Sequence, residues 1–181
     1  MPSPIGHSLL ALAICGMKAP PTLRAPWWWM LILIAAVAPD LDFLPGIIIG
    51  EPNRFHQGPT HSISGAFCFA AGLWVLIKPV RIREATILFF VYLSHLIADM
   101  LAEDLGAPYG ILLLWPFSDQ YFLSPVSLFS NFSHGGHGDG LTGVLGDILS
   151  THNLWTIALE VIIVGPLLAL VALLRRLKNS H

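Results

Sequence analysis

The sequence predicts an all-α protein, a polytopic membrane helical bundle of about four to five transmembrane helices plus an extracytoplasmic loop segment. Three observations point there. Only 11% of the 181 residues are charged while 55% are hydrophobic, against about 25% charged in an ordinary soluble domain. Apolar runs recur along the chain, separated by Pro and Gly turns. The charges also sort cleanly by side once these runs are threaded through a bilayer.

The first helix is expected from about Ile5 to Met17, followed by a basic turn holding Lys18, Pro20, Pro21 and Arg24. The second opens near Pro26 with Trp27, Trp28 and Trp29, an aromatic anchor of the kind found at membrane interfaces. It runs through Met30–Ala38 and stops at Pro39-Asp40. Proline disfavours helical geometry in the residue before it. The third helix covers about His61 to Ile77, and the fourth about Glu84 to Leu101. A segment rich in Gly, Pro, Ser and aromatics follows from Gly106 to Asn153, with Ile111–Trp115 as a short re-entrant or interfacial piece. The last helix, Leu154–Leu174, is long enough to span alone and ends in Arg175, Arg176 and Lys178. Several of the other runs fall short of the roughly 20 residues that cross the hydrocarbon core. Their polar ends are therefore expected inside the protein, below the membrane surface. The length suits one domain: a helical core over about 5–105, a loop or lid over about 106–153, and a closing helix over about 154–175.

Alternate threading puts Lys18, Arg24, Lys78, Arg81, Arg83, Arg175, Arg176 and Lys178 on one side and leaves only Arg54 opposite. The positive-inside rule makes that basic side cytoplasmic, C-terminus included, in a plasma (inner) membrane. No cleavable signal peptide is expected, because the first basic residue follows the first apolar run. The net charge of −2 offers no basic field for nucleic acid. Cys15 and Cys68 lie within apolar stretches, which argues against a disulfide framework or a cysteine zinc site.

Seven His and Asp residues fall on the extracytoplasmic side although Lys and Arg alone set the topology. His7 opens helix one, Asp40 and Asp42 close helix two, His56 and His61 precede and open helix three, and His95 and Asp99 end helix four. The i, i+4 spacing of His95 and Asp99 puts both on one helical face, where ionisable groups within apolar helices are costly and usually functional. Asp40 is the better ligand of its pair. Asp42 serves as a second ligand, an orienting group or a base. His61 is better fixed than His56; His56 and Arg54 are candidate substrate contacts or exposed loop residues. His and Asp without Cys favour zinc, manganese, iron or magnesium. Five or six ligands exceed one tetrahedral zinc and suit two ions sharing a carboxylate. The His-Glu-x-x-His protease signature is absent. The cluster His134, His137 and Asp139 reads as a further ion site, a lid or a solvated loop. Glu160, in the last helix, faces either a neighbour or the cavity.

His7, Pro39-Asp40-Leu41-Asp42, His56 to His61-Ser62, Ser94-His95 with Asp99, and Tyr109-Gly110 leading to Trp115-Pro116-Phe117 together resemble the YdjM-like membrane-bound metal-dependent hydrolases over about residues 5–120. A more distant likeness is to zinc-dependent phospholipase C, an all-helical enzyme with the same order of ligands. This resemblance implies zinc held by Asp40, His61, His95 and Asp99, with Asp99 bridging to a second ion held also by His7. In that enzyme the amino terminus helps hold the second ion, whereas here Met1–Gly6 precede His7. Its third-metal ligands find only His134, His137, Asp139 and Asp147 as loose counterparts. The function expected is hydrolysis of a lipid phosphoester or lipid diphosphate by metal-activated water, with Asp42 and His56 catalytic, Arg54 binding substrate, and membrane lipid as the partner. The alternative is a non-enzymatic metal handler, a transporter or sensor. Transport needs polar groups continuing across the membrane, and here they stop at one face.

Overall fold

The computed structural model describes residues 1–15, 25–51, 54–133 and 140–179. Among them are seven α-helices and no strand: α1 (Pro4–Cys15), α2 (Ala25–Val37), α3 (Phe43–Ile48), α4 (Ile63–Leu76), α5 (Ile82–Met100), α6 (Gly140–Ile148) and α7 (Thr151–Asn179). The turn holding Lys18 to Arg24 and the cluster His134, His137 and Asp139 lie outside the described residues.

Helix α5 is the centre, packed by α1, α2 and α4. Ala11, Ala35, Ala36 and Ala85 are buried with Trp28, Ile32, Leu88 and Val91 where α1, α2 and α5 meet. Small residues at these crossings let the backbones approach closely, as membrane helix interfaces require. Nearer the polar end, Ala38, Ala66, Tyr92, Leu96 and Ile111 form a second cluster. Helix α7 lies against α1 and reaches the end of α5 through Val164, packed with Ala98, Ala102 and Phe129.

The helix starts follow from local chemistry. Ser62 caps α4 by accepting from Gly65 N at 2.9 Å. At α5 the Glu84 carboxylate accepts the Arg81 N–H at 3.0 Å. Proline ends α2: Pro39–Asp42 is a 3-10 turn, and the chain bends by 60° before α3. The sequence reading had no α3, whose six residues include Pro45 and Gly46.

One expectation is corrected. The segment Gly106–Asn153 is not loop throughout: α6 occupies Gly140–Ile148, and α7 begins at Thr151 rather than Leu154. Asn153 explains the earlier start, because its amide accepts from Ser133 N at 2.8 Å and donates to Asp147 O at 2.7 Å, tying polar residues into the first turn. Of the four to five spans expected, one or two are clearly long and apolar enough among the described residues. Helix α7 is long and apolar enough to cross a membrane, and α2 with the turn and α3 makes a second if the bent pair is one span. Helices α1 and α4 are apolar but shorter; twelve residues of α1 reach only about 18 Å against about 30 Å of hydrocarbon.

The Ile111–Trp115 piece starts at a β-bridge and runs into a turn. Ile111 is buried and pairs with Phe122 in an isolated antiparallel bridge. Leu113 O accepts from Ile63 N at 3.0 Å, so this strap holds the first turn of α4. Gly110 turns with φ +91°, and a Cβ there would meet Phe122 O at 2.3 Å. Backbone conformation and clash act together, so Gly110→Ala is expected to cost about 3 kcal/mol or more. A lowered thermal midpoint in detergent checks this, and an unchanged midpoint would contradict it.

Candidate metal centre

The structure brings seven predicted residues into one connected cluster. His7 comes from α1, Asp40 and Asp42 from the turn after α2, His56 and His61 from the segment before α4, and His95 and Asp99 from the end of α5. His95 Nε2 lies 3.0 Å from Asp99 Oδ2 and 3.4 Å from Asp40 Oδ1. His61 Nε2 lies 3.5 Å from the same Asp99 oxygen and 3.6 Å from the same Asp40 oxygen. The other Asp99 oxygen faces His7 Nε2 at 3.4 Å, and the His7 ring stacks on His95 at 3.7 Å.

These atoms approach one another without hydrogen-bonding. Ten buried side-chain nitrogen and oxygen atoms lack a partner among the described residues, and eight of them belong to His7, Asp40, His61, His95 and Asp99. Buried polar groups without partners are expensive, so such a concentration needs a cause. A metal ion would satisfy one oxygen each of Asp40 and Asp99 together with His61 Nε2 and His95 Nε2. The four edges between the His61 and His95 nitrogens and the Asp40 and Asp99 oxygens run from 3.0 to 3.6 Å. A tetrahedral zinc bonded at about 2.0–2.1 Å to each ligand has edges of about 3.3–3.4 Å. The donor set therefore fits zinc in both chemistry and spacing. Two groups of three have donor atoms within 4.8 Å of one another: His7, His95 and Asp99, and Asp40, His56 and His61.

The surrounding bonds aim the rings. His95 Nδ1 donates to Ala36 O at 2.8 Å. That carbonyl belongs to the last turn of α2, where the break at Pro39 leaves acceptors without helical donors. The His95 Nε2 lone pair is thereby turned to the cluster. His61 Nδ1 lies 3.1 Å from Asp42 Oδ2, the carboxylate–histidine arrangement that fixes tautomer and orientation at metal sites. Asp42 also accepts from Thr60 Oγ1 at 2.7 Å and meets His56 Nδ1 at 2.9 Å. The Tyr92 hydroxyl donates to Thr60 O at 2.7 Å, pinning this turn to α5. Both Asp42 oxygens are thus engaged with side chains, which suits an orienting role over that of ligand or base. Asp42→Asn is expected to weaken metal binding roughly 10- to 100-fold while the fold persists; competition titration with a chelating dye measures it, and unchanged affinity would remove Asp42 from the centre.

His61 lies in the turn before α4, outside the spanning helices. Burial opposes its charging, but the carboxylates of Asp40, Asp42 and Asp99 outweigh that and raise its pKa to about 9. At His56 burial wins over Asp42 and the pKa is lowered. His56 is not an exposed loop residue: its ring stacks on Phe43 and touches the Met1 sulfur. It also lines a cavity of about 200 Å³ with Gln57, Asp104, Asn131 and Ser133.

Arg54 is not drawn into the cluster. Its side chain is 57% exposed and pairs with Glu51 at 3.1 Å. Asp147 accepts from Ser133 Oγ at 3.0 Å, a bond of the α6–α7 corner. The amino terminus hydrogen-bonds Glu103 O and Asn131 Oδ1, each at 3.4 Å, and takes no place among the ligands. Glu160 faces a neighbour: it binds Ser3, ahead of α1. Sequence reasoning left this open, although Asn153, Thr156, Glu160 and Val164, all buried, recur at the spacing of one helical face.

Fold and site together define an all-helical membrane protein with buried His and Asp groups that could hold a metal ion. Residues 1–177 match the family described as YdjM inner membrane protein, and the chain belongs to that family. No curated protein and no solved structure matches it.

Proposed function

We propose that the chain is a membrane-bound, metal-dependent hydrolase of a lipid phosphoester or lipid diphosphate, working at the extracytoplasmic face. The observation that carries this reading is the gathering of eight unpartnered buried donor atoms, from five His and Asp residues, in one cluster. Asp40, His61, His95 and Asp99 would hold one ion, zinc by spacing, and Asp99 with His7 would hold a second. Manganese, iron and magnesium are alternatives open to the same donors. A divalent ion there supplies Lewis-acid chemistry for attack of water on phosphorus.

The chain's own residues do the rest. Asp42 and Thr60 hold His61 in register. His56 stands between Asp42 and the polar cavity, and with its Nδ1–H given to Asp42 its Nε2 can accept a proton there. Arg54, two residues away on an exposed turn, attracts an anionic head group toward that cavity. Asp40 alone of these four has side-chain surface exposed, 13%, although both its oxygens are buried, and this edge is where substrate would approach. Helices α1, α4 and α5 complete a bundle of four to five crossings around α7 and the bent α2–α3 pair. The excess of Lys and Arg at the opposite end supports the sidedness.

The test is turnover by the purified, zinc- or manganese-loaded chain across a panel of lipid phosphates, beside its metal-stripped form. Metal-dependent phosphate release supports the reading. Metal bound without turnover, together with metal uptake into proteoliposomes, would favour the transporter instead.

A further inference from the structure

Helix α1 begins Ser3-Pro4-Ile5-Gly6-His7. Ser3 occupies the N-cap: its carbonyl accepts from His7 N at 3.1 Å, and its hydroxyl oxygen accepts from Gly6 N at 3.1 Å. A capping box has a second half, a Glu or Gln three residues after the cap whose side chain accepts the cap's own N–H. Helix α5 supplies that half locally through Glu84. In α1 the corresponding position is Gly6, which has no side chain to offer.

The missing carboxylate comes from α7, more than 150 residues away. Ser3 N donates to Glu160 Oε1 at 2.6 Å, and Ser3 Oγ donates to Glu160 Oε2. A Cβ on Gly6 would lie 2.6 Å from Glu160 Oε2 and 2.7 Å from its carboxyl carbon. Glu160 therefore fills the space that a side chain at position 6 would take. It is 1% exposed, and a carboxylate buried among apolar helices persists where donors and a positive helix N-terminus meet it. The next residue along α1 is His7, whose two ring nitrogens have no hydrogen-bond partner and whose ring lies on His95.

We infer that Glu160 completes the capping box of α1 from the C-terminal helix and is a positioning residue that sets His7 against Asp99 and His95. This rests on the metal-centre reading above. Gly6 is the other half of the device, since any larger residue there would displace the Glu160 carboxylate. Helix α7 thereby contributes to a centre that holds none of its side chains.

The experiment is zinc affinity of the full chain in detergent, by chelator competition, for the wild type, Glu160→Ala, Glu160→Gln, His7→Ala, the His7→Ala/Glu160→Ala pair and the Gly6→Glu/Glu160→Ala pair. Glu160→Ala is expected to weaken zinc about tenfold, the scale of losing an outer support at a metal site. Glu160→Gln keeps most of the affinity, because its amide oxygen still accepts the Ser3 N–H. In the His7→Ala background Glu160→Ala adds no further loss. Gly6→Glu restores affinity to Glu160→Ala by supplying the carboxylate within α1. Wild-type affinity in Glu160→Ala overturns the inference. An equal further loss in the His7→Ala background also overturns it, since that is general loosening. If Glu160→Ala does not fold, the Gly6→Glu/Glu160→Ala pair decides: zinc bound as in the wild type supports the inference, and a folded pair that binds tenfold more weakly overturns it. A wild type that binds no zinc at all brings down the metal-centre reading itself, a result separate from failure of the Glu160 inference alone.

Discussion

Asp99→Ala is expected to abolish metal binding. Both Asp99 oxygens are buried, and they face His95, His61 and His7 from opposite sides. No other carboxylate here is shared in this way between both sets of imidazoles, so its loss opens two positions together. The expected drop in affinity is about 1,000-fold or more, since an ion ligand and a bridge are removed and three imidazoles lose their common counter-charge. His95→Ala should lose about as much, because it also removes the ring that supports His7. Elemental analysis of the purified protein gives the readout: one or two ions per chain in the wild type, and none in folded variants. Retention of the full complement in folded Asp99→Ala would reduce the cluster to a structural His–Asp contact.

The second large effect is on pH. The carboxylates lift the His61 pKa to about 9 against the opposing effect of burial. Only neutral imidazole binds a metal. A raised folded pKa means that the metal-free protein holds this proton below about 9, and binding must displace it. Affinity should therefore rise with pH by about a decade per unit up to about 9, or roughly 100-fold between pH 6 and pH 8. In the metal-free protein the sign is opposite: the proton's contribution to stability is fully present below the ordinary histidine pKa and is lost as pH rises through about 9. Calorimetric titration in buffers of different ionisation enthalpy counts the displaced proton, and an affinity flat from pH 6 to pH 8 would show that His61 is not a ligand.

Much of this centre could be read before any coordinates. His95 and Asp99 are a turn apart on an apolar helix, and Pro39 marks where α2 must break. The sorting of Lys and Arg placed the seven polar residues at one end, and their contacts show the same gathering. What escaped was of a different physical kind. Helix α6 escaped because Gly140, Gly143 and Gly146 continue the composition of the Gly-rich stretch before it, which masks a nine-residue helix. Helix α3 is short and holds a proline. The partner of Glu160 was hidden because the capping signal is split between Ser3 and a residue in the last helix, a pattern no local window contains. Arg54, expected as a substrate contact or an exposed loop residue, is exposed and pairs with Glu51 at the surface.

The 60° bend after Val37 also works as a ruler. Helix α2 has 13 residues, about 20 Å of rise, and its first turn carries the exposed Trp27, expected at one interface, while Trp28 is buried in the core. The hydrocarbon layer is about 30 Å thick. Counted from that anchor, Asp40 comes up roughly 10 Å short of the opposite interface. On the proposed function, a small soluble phosphoester would have to leave water to reach it, whereas a lipid held by its tails would approach from within the layer. On that reading, depth would select substrates before any side chain touches a head group, and lengthening α2 by one turn should relax that choice.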